Sequence, residues 1–356
     1  MQELRIGNKV AQVPIIQGGM GVGISRSSLA GAVAKEGGIG VISTAQIGYD
    51  EPEFEQNPSE CNLKAIHKHI RRAKEISGGK GLVGVNVMRA LKDYKEHVRQ
   101  AVYSGADVII CGAGIPTDLP GILQECKEKV SELPAIAPIV SSERAIELIF
   151  RMWEKKYHTT ADFLVVEGPK AGGHLGFSKE VLQQMTSERF EQEIQKIIMC
   201  VRQYEGRFAK KIPIIVAGGI YDKKDIARMI SLGADGVQIA SRFVATYECD
   251  AAQAYKEAYV HAHSEDIEII DSPVGMPGRA LKNAFTEKIA RHREKISKCY
   301  GCLEKCNPAK VPYCITQALV RAVQGDVENG LIFCGENVGR MNRIYSVQEL
   351  MAELTR

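Results

Sequence analysis

The residues best equipped for chemistry lie in "FLVVEGPKAGGHLGF", residues 163–177, where an apolar run stops at Glu167 and a loop with four glycines carries His174. Glycine lets backbone come close to something flat or phosphorylated. An ordinary imidazole, with a pKa of roughly 6.5, has both protonation states accessible near neutrality and suits acid–base work. The competing role for His174 is that of a loop histidine bonding a carbonyl. Glu167 and Lys170 flank the same loop. A carboxylate at a strand end can join the chemistry, but it more often ties down loop N–H groups.

Cysteines form the second chemical group. "KCYGCLEKCNPAKVPYCI" reads C-x2-C-x3-C-x7-C through Cys299, Cys302, Cys306 and Cys314. Four thiolates this close suit a 4Fe–4S cluster or tetrahedral zinc, with unligated thiols as the third reading. Cys61, Cys111, Cys126, Cys200 and Cys249 are scattered and suit reduced thiols. The other histidines read as ordinary: His67, His69 and His97 on polar helix faces, His158 in a charged turn, and His261, His263 and His292 in charged helical segments.

These groups need elements to position them. Short apolar runs without alternation occur at VPIIQ (13–17), IGVIS (39–43), LVGVN (82–86), DVIIC (107–111), IAPIV (136–140), FLVVE (163–167), IPIIV (212–216) and GVQIA (236–240). Strands buried on both faces of a parallel sheet look like this. Helical patterns separate them, with Ser27 or Ser28 as a cap of the first and Gly37, Gly78 and Gly233 at helix ends. The sixth helix is expected from Lys179 to Tyr204. Eight β/α units in series predict a (β/α)8 TIM barrel over residues 1–265, with residues 266–356 as a cysteine-rich helical appendage packed on it. A Rossmann sheet is disfavoured: "GAGIPT" at 112–117, the nearest glycine fingerprint, follows the fourth strand and carries Pro116 and Thr117.

Barrel chemistry is done where the strands end. Gly218-Gly219 and Ala240-Ser241 end strands seven and eight, the two places where barrels often hold a phosphate on backbone N–H groups. Gly18, Gly19, Gly21 and Gly23 after the first strand would let backbone approach a planar ring, with Met20 as an apolar face. Asn86 ends the third strand and can donate and accept at a ring edge. A phosphate on one side of the mouth and a flat heterocycle across it is the shape of FMN, although a substrate phosphate would use the same residues. Arg242 could reach a phosphate or pair with an acid on the rim.

Together "PIIQGGMGVGIS…LAGAVAKEGGIGVIS", "GVNVM", "EGPKAGGHLG", "IPIIVAGGI" and "GADGVQIASRF" resemble the nitronate monooxygenase (2-nitropropane dioxygenase) family over about residues 10–285. The flavin-dependent enoyl-acyl-carrier-protein reductases share these motifs. The resemblance implies FMN, with Gly19, Met20 and Gly21 beside the isoalloxazine, Asn86 at its edge, and Gly218, Gly219 and Ser241 on the phosphate. Glu167, Gly172, Gly173 and Ala240 complete the expected cofactor contacts, and His174 faces the substrate. The cysteine segment departs from the family pattern. Its C-x2-C-x3-C core resembles the cluster segment of iron–sulfur flavoenzymes related to old yellow enzyme.

The leading expectation is an FMN-dependent oxidoreductase that oxidises alkyl nitronates with O2. The runner-up is an NAD(P)H-dependent enoyl-thioester reductase on the same site. A flavin/Fe–S sensor or electron-transfer protein, and a phosphate-substrate barrel resembling inosine-monophosphate dehydrogenase, are further alternatives. Expected partners are a small-molecule substrate, with NAD(P)H or an electron-transfer protein as electron source, and a homodimer is admitted. The 46 basic and 43 acidic residues leave a net charge of +3, too balanced to argue for nucleic acid or an anionic membrane. No signal-peptide pattern opens the chain and no apolar run approaches the roughly 20 residues of a membrane span, so a cytoplasmic location is expected.

Overall fold

The computed structural model describes residues 2–356. Eight parallel strands close into a TIM barrel: β1 Ile15–Gln17, β2 Ile39–Ser43, β3 Leu82–Met88, β4 Val108–Gly112, β5 Ala135–Val140, β6 Leu164–Glu167, β7 Ile214–Ala217 and β8 Gly236–Ile239. Each falls on one of the eight apolar runs. The ring closes between β8 and β1, where Val237 lies opposite Ile15 and Ile239 opposite Gln17.

Why the runs lack alternation is visible in the two cores. Successive side chains on a strand point to opposite faces. On β6, Val165 belongs to the barrel interior with Ile16, Val41, Ile110, Ala137 and Ile215. Its neighbours Leu164 and Val166 pack outward against the helices. Both faces are buried, so every position must be apolar, each large side chain contributing about 1.5–3 kcal/mol. An antiparallel N-terminal hairpin, Leu4–Ile6 with Lys9–Ala11, sends Leu4, Ile6 and Ala11 into the interior cluster. The interior is thus filled with side chains, which leaves the strand ends at the other mouth for chemistry.

Several local expectations change. The helix Ser27–Lys35 is not capped by Ser27 or Ser28. Instead the Asp250 carboxylate accepts from the N–H groups of Arg26, Ser28 and Leu29. The expected sixth helix is two, Lys179–Gln184 and Ser187–Phe208, because Met185 turns extended and Thr186 starts a fresh N-cap on Arg189. His69 and His97 are buried rather than surface residues, at 9% and 2% exposure. Burial pushes both imidazoles down to about 4.

Past residue 265, strands Ile267–Asp271 and Pro277–Leu281 pair antiparallel, and the second also pairs with the short strand Gly173–His174. Helices Ala284–Arg291, Ile315–Val323 and Val347–Thr355 follow. Leu331, Ile332, Leu350 and Leu354 join the same buried cluster as the outer barrel face. Among the described residues no helix is long and apolar enough to cross a membrane.

Candidate active site

A cavity of about 400 Å3 opens at the C-terminal strand ends. Of the residues expected to touch cofactor or substrate, Gly18, Gly19, Met20, Gly21, Asn86, Glu167, Gly172, Gly173, His174, Gly218, Gly219, Ala240 and Ser241 line it, whereas Gly23 does not and packs against Tyr49 instead.

Strand parity sets its floor. Counting outward by twos from the interior residues Val41, Val165 and Ile215 gives Ser43, Glu167 and Ala217, all of which line the cavity. The same alternation turns Asn86 of β3 and Gln238 of β8 inward, since Val85, Val87, Val237 and Ile239 pack outward. Gln238 was not among the expected site residues, although this parity in "GVQIA" carries the signal. Its Oε1 is buried without a hydrogen-bond partner. Glycine is required beside these side chains. A Cβ on Gly19 would fall 2.4 Å from the Asn86 Cβ, and one on Gly18 would lie 3.2 Å from the Gln238 Cγ.

Glu167 does not tie down its loop. Burial at the cavity floor pushes its carboxyl up to about 8, with no hydrogen bond or charge offsetting the shift. The folded protein therefore keeps a proton that the unfolded chain, with a carboxyl near 4.5, has released. Stability from this group is lost as pH rises from about 4.5 to about 8 and levels off above. Urea unfolding at pH 5 and pH 8 should give the lower midpoint at pH 8, and Glu167→Gln should remove most of the difference. An undiminished difference in that variant would show that the proton sits elsewhere.

His174 stands opposite this floor on a strand of two residues, held by Gly278 of the later segment. Its Nε2 lies 2.7 Å from the Ser272 Oγ, and its ring meets Phe333 edge-on at 4.9 Å between centroids. Nδ1 is the ring nitrogen left for a substrate. The expectation of two accessible protonation states is corrected: burial pushes the imidazole down to about 4, so it is neutral at pH 7. Neutral imidazole can serve as a base or as a hydrogen-bond donor, depending on how the proton is shared with Ser272.

At the other end, Gly218 and Gly219 take φ of +93° and +78°, a region open to glycine. A strap from the end of the chain, Phe333–Asn337, lies beside them. The Gly335 N–H donates to Ser241 Oγ at 2.9 Å and the Asn337 amide donates to the Gly219 carbonyl at 2.7 Å. The strap lines the cavity too, together with Leu319 and Met276. Nothing in "FCGEN" itself signals this role; it depends on a pairing between segments distant in sequence. Arg242 serves the rim. It is 2% exposed, sits 4.3 Å over the Tyr221 ring and donates to Glu353 at 3.0 Å.

The four clustered cysteines lie outside the cavity. Among the described residues no group of three or more His, Cys, Asp or Glu side chains is placed to hold a metal ion. Their surroundings differ: Cys299 is exposed, Cys302 and Cys306 are half-buried, and Cys314 is buried ahead of the helix Ile315–Val323. Burial pushes the Cys302 thiol up to about 11. The segment is instead fastened to the loop after β3, where Lys92 N–H donates to the Cys302 carbonyl and Glu304 N–H to the Ala90 carbonyl.

The family model described as nitronate monooxygenase matches residues 3–356. A probable nitronate monooxygenase of Staphylococcus saprophyticus is 26% identical over 307 residues, covering 80% of this chain and 79% of the relative. Among solved structures, FabK from Thermotoga maritima superposes with a TM-score of 0.71 at 26% identity, covering 96% of this chain and 91% of that one. Nitroalkane oxidase from Streptomyces ansochromogenes gives a TM-score of 0.68 at 18% identity, over 96% and 94% of the two chains, and so speaks for the fold alone. With the match running almost from end to end, the chain belongs to the nitronate monooxygenase family, a family of oxidoreductases.

Proposed function

We propose that the protein is an FMN-dependent oxidoreductase that oxidises alkyl nitronates with O2. The observation that carries this reading is the juxtaposition, around one cavity, of a neutral histidine and a glycine-built cradle with an orphaned acceptor in its floor. The isoalloxazine ring fits that floor chemically: it brings an N–H donor, which the buried Gln238 Oε1 lacks, and carbonyl acceptors for Asn86. Gly218, Gly219, Ala240 and Ser241 would hold the phosphate. When bound, FMN supplies the electron acceptor of the reaction. The protein's own contribution is positioning and proton control. Glycines at 19 and 21 admit a flat group, and His174 meets the substrate through Nδ1, either taking the Cα proton of the parent nitroalkane or donating a hydrogen bond to the anionic nitro oxygens of the nitronate. Ser272 holds the ring through Nε2 in both cases.

The second reading, reduction of an enoyl-thioester by NAD(P)H on the same site, takes its support from the likeness to the Thermotoga FabK. One experiment separates the readings. The protein as purified should show a flavin absorbance band, and a nitronate added to the oxidised form should bleach it. If crotonyl-thioester reoxidises the reduced form while nitronates leave the oxidised band untouched, the reductase reading replaces the first. A colourless protein that takes up no FMN sinks both.

A further inference from the structure

A second, polar cavity of about 200 Å3 lies outside the barrel mouth, between the loops that follow β2 and β3. Two helices begin at it, Pro58–Ser77 and Tyr94–Tyr103, and the residues Tyr300, Gly301 and Cys302 form its other wall. At the first helix, Pro58 has no N–H and the Glu60 N–H is taken by the Asn57 side chain, so Ser59 holds the free donor. Gln46, in a left-handed conformation at φ +48°, accepts from the Asn62 amide at 2.9 Å, which turns its own NH2 group free for the cavity. Lys92 lines the space and makes no ion pair among the described residues. His97, 2% exposed, also lines it; Nδ1 lies 3.2 Å from the Thr44 Oγ1, and Nε2 is buried with no partner. Asp93 is the one acid in the lining.

We propose that this cavity binds a small oxyanion of the phosphate class. The N-terminus of each helix carries about half a positive charge, and Lys92 adds a full one against the single Asp93 carboxylate. A phosphate offers acceptors in several directions at once, which is what Ser59 N–H, the Gln46 amide and Lys92 require. The Thr44 hydroxyl donates to the Asn86 carbonyl at 3.3 Å and accepts from His97 Nδ1, which ties this wall of the cavity to the strand that carries Asn86. The anion is either free phosphate or the phosphate end of a nucleotide.

The test is calorimetric titration of inorganic phosphate into the full-length protein as purified, with adenosine 2′,5′-bisphosphate in a parallel arm. Saturable binding is expected. Lys92→Ala should weaken it about tenfold, the worth of one charge-assisted hydrogen bond. Asp93→Asn should tighten it. Both residues lie outside the active-site cavity, so an oxyanion bound on Gly218 and Ser241 would respond to neither change. Phosphate should also slow alkylation of Cys302 in the wild type and lose that effect in Lys92→Ala. Tighter binding of the bisphosphate, equally sensitive to Lys92, assigns the site to a nucleotide; weaker binding assigns it to the free anion. No saturable binding, or an affinity indifferent to both substitutions, overturns the proposal.

Discussion

Replacing His174 by alanine is expected to lower turnover about 10²- to 10⁴-fold, the usual worth of a positioned acid–base group, while FMN remains bound. The two outcomes separate because His174 lines the cavity from the short strand Gly173–His174, whereas Gly218 and Ser241, the proposed phosphate contacts, lie past other strands. A histidine that merely braced its loop would behave differently, since loss of the 2.7 Å bond to Ser272 and of the Phe333 contact would loosen the fold instead. Ser272→Ala distinguishes positioning from chemistry. It should cost about fivefold, consistent with one lost hydrogen bond of about 1 kcal/mol, and shift the pH profile because Nε2 loses its partner. Because burial holds the imidazole at about 4, the activity of the wild type should not fall between pH 8 and pH 5 through protonation of this ring. Wild-type turnover in His174→Ala, measured with both a nitronate and an enoyl-thioester, would show that the ring does no chemistry.

Arg279→Ala is expected to destabilise the protein by about 3 kcal/mol, the cost of leaving buried polar partners unpaired. Arg279 is 7% exposed and donates to the carbonyls of Pro169 and Ala171, the residues that lead into the histidine loop. Its other nitrogen lies 3.4 Å from Glu336 on the strap. Burial pulls the guanidinium below its usual range, and Glu336 counters part of that. Removing the side chain strips two carbonyls of their donor and leaves the strap carboxylate with Lys170, 3.5 Å away. Loss of FMN retention and of activity should therefore accompany the lowered unfolding midpoint. Glu336→Gln should do much less, because both loop carbonyls keep their donor. An Arg279→Ala protein as stable as the wild type would mean that the loop is held by its strand pairing alone.

The sequence was most legible where function and local pattern coincide. Uninterrupted apolar runs announced eight strands because each strand is buried on both faces, and glycines past the strand ends marked the cavity because only they leave room there. Gln238 was readable in principle, since inward parity follows from counting residues along β8. Other features were not legible. Cap signals at Ser27 and Ser28 gave way to Asp250, more than two hundred residues away, because a carboxylate from the next loop reaches three N–H groups at once. The cysteine spacing suggested one ligand set, but nothing in it signals the backbone hydrogen bonds that fasten the segment to the β3 loop, about two hundred residues earlier.

By itself, then, the chain's sequence determined the barrel and placed the glycines and the histidine that line the cavity at its strand ends, all properties of periodicity and of short motifs. The tertiary structure alone decided the charge state of that histidine and of Glu167, because desolvation depends on what packs around a group and not on its neighbours in sequence. It also decided what closes the site. The loop "EGPKAGGHLG" is held by Arg279 and by the strand around it, and the Phe333–Asn337 strap meets Gly219, through contacts more than a hundred residues apart in sequence that no local pattern encodes.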